Sequence, residues 1–289
     1  MRSSIRSNHP GTWFLPGGGL EHGEDPVAGV LREFVEETGL TVEIERLRQV
    51  SADLVEFPWR GVLLHHDRVI FDVRVTGGEL IAETDGTSDL PEWVDPQRLP
   101  ELDLIPFAAG VLGLAGGDRR EINPRPPQAD ESRETEVNGR ALNGGSQVAR
   151  FSAYGVITDG RDRVLLSLIA ADYPGAGKWH LPGGGTDFGE QPEVGLLREI
   201  FEETGQHGEV TGLLGVGSHH NPAALGPEGT PLDWYGVRAI YRVNVAEPTS
   251  PQVTEAPGGS TADAQWFRRD ELAAVPMTDL AASSLLYVD

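Results

Sequence analysis

The sequence predicts an α+β fold built twice in one chain, and three observations predict it. The phrase WFLPGGGLEHGEDPVAGVLREFVEETGL, residues 13–40, returns as WHLPGGGTDFGEQPEVGLLREIFEETGQ, residues 179–206, an offset of 166 (179 − 13). Each phrase contains one helical pattern, bounded by Pro at its start and Gly at its end. Around each lie short runs rich in Val, Ile, Leu and Tyr that read as strands. A mixed sheet with helices packed on it accommodates this mixture of elements.

In the first copy the helix starts where Asp25 stands at the N-cap with Pro26 at the first helical position. It ends at Gly39, the residue type that most easily takes a left-handed C-cap. Val27, Val30, Leu31, Phe34 and Thr38 recur at three- and four-residue spacing and are expected to face the sheet. Strands are expected over VEIERLRQVS (42–51), GVLLHH (61–66) and RVIFDVRV (68–75). In the second copy Pro192 and Gly205 punctuate a helix of the same length. Its strands are expected over SAYGVIT (152–158), RVLLSLI (163–169), VTGLLGVGS (210–218) and YGVRAIYRVNV (235–245). The likeness continues: GTSDLPEWVDPQRL (86–99) echoes GSTADAQWFRRDEL (259–272), and each precedes an Ala/Leu-rich stretch that reads as a terminal helix.

Between the copies, residues 117–147 are dominated by Pro, Gly, Asn and charges, with too few apolar residues for a core. The expected organisation is a domain at 1–116, a flexible linker at 117–147 and a second domain at 148–289. As a random coil that linker spans about 30 Å, enough to let the copies dock side by side. The second copy has 28 residues, FSAYGVITDGRDRVLLSLIAADYPGAGK, ahead of its tryptophan, where the first has MRSSIRSNHPGT. The first copy is therefore expected to lack its opening strand and part of the next, which leaves a sheet edge open. An upstream start, cover from the second domain or a partner chain, or a marginally folded first domain would each account for this.

Composition narrows the function. The chain has no cysteine, which excludes disulfides, thiolate zinc sites and cysteine nucleophiles. Lys plus Arg number 23 against 45 Asp plus Glu, so the net charge is 23 − 45 = −22. That balance argues against duplex nucleic acid or an anionic membrane as a partner. No apolar run reaches the roughly 18 residues of a membrane span, and the first residues have no signal-peptide core. A cytoplasmic protein is expected.

The chemistry is expected on the helices. Glu33, Glu36 and Glu37 share a face at i, i+3 and i+4, where like charges repel by a few tenths of a kcal/mol per pair. Hard cations with oxygen ligands, such as Mg²⁺ bridging carboxylates and phosphates, relieve that repulsion. Arg32, just before the cluster, can hold one carboxylate in a bidentate pair. Arg198, Glu199, Glu202 and Glu203 repeat the pattern. A lone Glu-rich helix face is ordinarily just solvated. Here LPGGG lies upstream at a fixed distance in both copies, a tight turn whose carbonyls and amides can reach a metal or phosphate.

Gly18, Glu24, Arg32-Glu33-Phe34, Glu36-Glu37 and Gly39-Leu40, with the intervals between them, resemble the box of the Nudix hydrolase family without a mismatch. Seven fixed Gly, Glu and Arg positions coincide by chance in about one of 10⁸ windows. Gly184, Glu190, Arg198-Glu199-Ile200, Glu202-Glu203 and Gly205 are similar at all seven. Gln206 replaces the final aliphatic residue and is expected to loosen packing beneath the helix. The resemblance implies two tandem α/β/α sandwiches with mixed sheets. It also implies Mg²⁺- or Mn²⁺-dependent hydrolysis of a nucleoside diphosphate linked to another group, such as a nucleoside triphosphate, ADP-ribose or a nucleotide sugar.

By the same resemblance Glu36, Glu37, Glu202 and Glu203 are the principal metal ligands, aided by the carbonyls near Gly18 and Gly184. Glu33 and Glu199 act as ligand or base, Arg32 and Arg198 orient them, and Glu24 and Glu190 brace the loop. The complete second domain is the expected catalyst, with a nucleotide as its small-molecule partner and an intramolecular pseudo-dimer or a homodimer as the assembly. The alternative is a sensor that binds a nucleotide or ADP-ribose without turnover, against which the intact acids weigh. HHD (65–67) and SHHN (218–221) read as surface or packing residues rather than ligands. Trp59, Trp234 and Tyr235 read as core or rim residues rather than a base-stacking platform. Pro222 lies 16 residues beyond Gln206, where ADP-ribose-cleaving relatives tend to carry a proline, but a loop proline is too common to identify a substrate.

Overall fold

The computed structural model describes residues 1–4, 11–57, 62–82, 88–114, 146–226, 229–256 and 258–287. Trp59 and residues 117–145 of the expected linker lie outside them. Two compact units emerge, one formed by 1–48 with 70–125 and the other by 49–69 with 126–289.

In the first unit β1 (Arg2–Ser3) pairs antiparallel with β4 (Ser88–Leu90). The helix α1 (Pro26–Thr38) starts as its sequence dictates: Val27 N–H donates to Asp25 Oδ1 (2.9 Å) and Gly39 closes the other end at φ 72°. The short helix α2 (Pro106–Val111) follows later. Trp13 ties the glycine loop to the approach of α2, its N–H donating to Asp103 O (2.7 Å) and its carbonyl accepting from Ile105 N–H (2.9 Å). The strands β2 (Leu40–Phe57) and β3 (Val62–Gly78) form a long hairpin whose outer part, 49–69, belongs to the second unit. Two expected strands, 61–66 and 68–75, are thus one. Arg68, at the join of the two runs, pairs with Asp53 on β2 (2.5 and 3.0 Å).

The second unit holds β5 (Ser146–Asp159), β6 (Arg163–Ile169), β7 (Trp179–His180), β8 (Gly183–Gly185), α3 (Pro192–Thr204), β9 (Glu209–Leu225), β10 (Pro231–Val245), β11 (Thr261–Arg268) and α4 (Asp279–Ser284). Its sheet runs β11-β6-β5-β10-β9, with β7 on β6 and β8 on β5. The β5–β10 pair is parallel and the β9–β10, β6–β11 and β5–β6 pairs are antiparallel, so the sheet is mixed as expected. β5 opens at Ser146, β9 runs on to Leu225, and β11 is a strand that the sequence showed only as an echo of 86–99.

Val156, Val164, Leu166, Leu181, Ile240, Phe267 and Ala281 make one apolar cluster that joins α4 to the sheet. The helix α3 packs on β5, β8, β9 and β11. Its Leu196 and Ile200 are fully buried. Gln206 fills its place with hydrogen bonds instead of apolar contact, donating to Thr249 Oγ1 (2.9 Å) and accepting from Thr249 N–H (2.9 Å). The loosening expected there does not occur, because both ends of the buried amide are paired. No helix among the described residues is long and apolar enough to cross a membrane.

His180, beside the glycine loop, is packed edge-on to Tyr154 with Nδ1 2.6 Å from Thr278 Oγ1. Burial, with the Arg238 guanidinium nearby, pushes its imidazole from 6.5 down to about 4. The unfolded chain therefore takes up this proton first as pH falls, and the stability present above 6.5 is lost through the window down to about 4. At about 1.4 kcal/mol per pKa unit the loss amounts to roughly 3 kcal/mol. In urea titrations across this window, His180→Gln is expected to lose about that much less stability than the wild type. Parallel pH curves for the two proteins would contradict it.

Candidate active site

Each site grows from a glycine turn laid against the acidic helix. Gly17 and Gly183 adopt φ 138° and 134°, a conformation that strains any side chain. Their N–H groups donate to Glu37 Oε2 (2.8 Å) and Glu203 Oε2 (3.0 Å). A Cβ on Gly18 would fall 2.5 Å from the Glu33 carboxyl carbon, and one on Gly184 would fall 2.8 Å from that of Glu199. The fixed glycine is thus required by the carboxylate folded beneath it. A Cβ on Gly195 would likewise fall 2.7 Å from a Glu190 carboxylate oxygen, whereas one on Gly29 would meet the Leu20 side chain first, with a Glu24 oxygen at 3.1 Å. Their common offset of 166 (195 − 29) was the available signal for this pair.

The arginine organises the acids. In the second copy Arg198 grips Glu190 with two hydrogen bonds (3.0 and 2.9 Å), and its Nη1 donates to Glu199 Oε1 (2.8 Å) and Glu202 Oε2 (3.3 Å). A further bond to Gly185 O (3.2 Å) ties the hub to the loop. In the first copy Arg32 makes the same five contacts, to Glu24 twice (2.8 Å each), Glu33 (2.8 Å), Glu36 (3.0 Å) and Gly19 O (3.1 Å). Glu24 and Glu190 close the turn as well, accepting from Glu21 N–H (2.9 Å) and Asp187 N–H (3.0 Å). Of the three acids placed on one face by spacing, the structure separates one. Glu36 and Glu202 reach solvent, whereas Glu37 and Glu203 are buried beneath the glycine turn.

Glu203 rests among three donors, Gly183 N–H, Ser167 Oγ (3.1 Å) and Thr261 Oγ1 (2.7 Å). Burial outweighs those bonds and pushes its carboxyl up to about 7. Glu199 is also pushed above the usual carboxylate range, first by burial and further by the charges of Glu202 and Glu255, against the pull of Arg198. Ser167, Thr261 and Glu255 lie outside the repeated phrase and were missed by sequence reading. Glu255 arrives because the N–H groups of Thr254 and Glu255 donate to Glu202 O (2.7 and 2.8 Å), docking its loop on the end of α3. Among the histidines, His220 lies 2.6 Å from the buried Asp233. Trp234 is half-buried, Tyr235 is buried, and Pro222 is exposed within β9.

The NUDIX domain family model matches residues 1–112 and 148–286. A MutT-like protein of Streptomyces ambofaciens is 36% identical over 114 residues, covering 39% of this chain and 68% of that protein. An RNA pyrophosphohydrolase of Roseobacter denitrificans is 31% identical over 109 residues, 35% of this chain and 67% of the relative. An ADP-ribose pyrophosphatase of Methanocaldococcus jannaschii is 37% identical over 99 residues, 34% of this chain and 55% of the relative. The chain belongs to the Nudix family, as a pyrophosphohydrolase with two tandem Nudix domains.

Gly184→Ala sets a methyl group against the Glu199 carboxylate, an overpacking that costs about 1–3 kcal/mol. A drop of roughly 2–10 °C in thermal midpoint is expected. Gly212→Ala, whose Cβ meets nothing within 4 Å, is expected to leave the midpoint within about a degree by the same scaling. Equal midpoints for both variants would contradict the packing assigned to Gly184.

Proposed function

We propose that the chain hydrolyses the diphosphate linkage of a nucleoside diphosphate joined to another group, with Mg²⁺ or Mn²⁺, chiefly in a second domain at 148–289, in the cytoplasm. A domain at 1–116 and a linker at 117–147 complete this reading. The observation that carries it is the surplus of carboxylates about Glu199: Glu202, Glu203 and Glu255 all interact with it electrostatically, while the one arginine that holds it, Arg198, is already matched by Glu190. Such a surplus of carboxylate fits a hard dication. Glu202 and Glu203 are the principal ligands in this reading, aided by the carbonyl near Gly184. Glu203 Oε1 accepts one hydrogen bond, from Thr261, and keeps a lone pair for a ligand. When bound, the ion clamps and neutralises the diphosphate and acidifies the attacking water.

The protein groups supply position and proton transfer. Arg198 fixes Glu199 through Oε1 and presents Oε2 as the atom that takes the proton from water. The water oxygen then bonds to phosphorus as the bond to the leaving phosphate oxygen breaks. Burial raises the proton affinity of Glu199, which suits a base working near neutral pH. Glu190 braces Arg198 and the loop without touching substrate. Glu33, Arg32, Glu36, Glu37, Gly18 and Glu24 form the corresponding set in the first domain. The activities named for the relatives differ, so the substrate panel has to span nucleoside triphosphates, ADP-ribose, nucleotide sugars and 5′-triphosphorylated RNA.

Release of phosphate or pyrophosphate from the triphosphorylated members, and of nucleoside monophosphate and sugar phosphate from ADP-ribose and the nucleotide sugars, tests the reading. Turnover of one class with Mg²⁺, lost with chelator, is expected, and Glu203→Gln should lower it by about 100-fold or more. Glu37→Gln should leave most of it. Tight binding of a panel member without any turnover would replace the hydrolase with a sensor, and a reversed pattern of variants would move the chemistry to the first domain.

A further inference from the structure

The two Nudix helices begin differently. Asp25 caps α1 with its own side chain, as the donor pair Val27 N–H to Asp25 Oδ1 shows. Gln191 occupies the same place ahead of α3 and makes no side-chain cap. Its amide is turned instead to the outer hairpin: Oε1 accepts from Ala52 N–H (2.9 Å) and Nε2 donates to Ala52 O (2.5 Å). Two residues earlier, Gly189 N–H donates to His65 Nδ1 (3.2 Å). The His65 ring also meets Phe188 edge-on, with centroids 5.8 Å apart at 83°. Burial lowers the His65 pKa, in keeping with a neutral ring that accepts at Nδ1. The gripping segment is itself stiffened, since Arg68 spans the hairpin to Asp53 through two hydrogen bonds. The residues held, Phe188, Gly189 and Gln191, flank Glu190, the partner that fixes Arg198.

We infer that the outer hairpin of the first repeat, residues 49–69, is a positioning element of the second repeat's active site: His65 and Ala52 hold the 188–191 segment in place, and with it Glu190, Arg198 and the acids that Arg198 orients. The inference rests on the assignment of hydrolysis to the second domain. His65 and Gln191 are positioning residues that act through Glu190. A loop without the hold would still fold, but the Arg198 hub would wander from one geometry, and displacements on the order of 1 Å cost catalysis up to about 100-fold.

The test uses the full chain carrying Glu37→Gln, so that turnover reports the second domain, with His65→Ala, Gln191→Ala and Gln191→Glu added singly and His65→Ala with Gln191→Ala together. Hydrogen exchange at the Gly189 amide reads the hold directly, and kcat and KM on the best panel substrate read its consequence. Faster exchange in His65→Ala is expected, with kcat lower by about tenfold in His65→Ala and Gln191→Ala, KM little changed and thermal midpoints retained. Gln191→Glu, which still accepts from Ala52 N–H, should recover part of the loss, and the double variant should fall less than the product of the singles. Unchanged Gly189 exchange, or full kcat in every variant, would overturn the inference. A Glu37→Gln parent that turns over nothing would sink the assignment of hydrolysis to the second domain, while His65-dependent exchange would still establish the hold.

Discussion

The guanidinium of Arg198, and its counterpart Arg32, is the constraint on which each site is built. One planar group spends its donors on the loop acid, two helix acids and a loop carbonyl, so helix and turn cannot shift independently. Lysine could not substitute, because a point charge lacks the fork that grips Glu190 through both oxygens while also reaching Glu199. The glycines follow from this arrangement. Gly184 and Gly195 leave room for the carboxylates of Glu199 and Glu190, and Gly183 takes the positive φ that aims its N–H at Glu203.

Burial and charge pull in opposite directions around that hub. Desolvation raises the proton affinity of Glu199 and Glu203, whereas Arg198 and three neutral donors favour their ionised forms. The balance leaves both acids above the ordinary carboxylate range. A site in this condition gains from any multivalent cation, since the ion removes the desolvation cost and the mutual repulsion together. The chain's net charge of −22 acts over longer distances and opposes the approach of polyanions such as duplex nucleic acid.

Much of this was legible in the sequence because it is local. Pro, Gly and the i, i+1, i+4 spacing fix the helix ends and the arginine's neighbours within one or two turns, and the 166-residue repeat doubled every signal. Long-range placement was not legible. Glu203 is buried by Ser167 on β6 and Thr261 on β11, and nothing in the helix pattern distinguishes it from the exposed Glu202 beside it. β11 itself, TADAQWFR, has a polar first half that hides its strand character. Glu255 enters through a loop docked on the end of α3, and Gln206, read as a packing defect, finds its partner at Thr249. Ala52 lies 139 positions from Gln191 and His65 lies 124 from Gly189, far beyond the reach of any local pattern.

The contrast between Asp25 and Gln191 bears on the history of the duplication. A copy whose helix is capped by its own side chain is self-sufficient at that point, whereas one whose helix entry leans on a distant strand has exported part of its specification. Once that dependence exists, the two halves cease to be spare parts for one another. Erosion of the first would carry a penalty felt in the second, even if the first had no chemistry of its own left to protect.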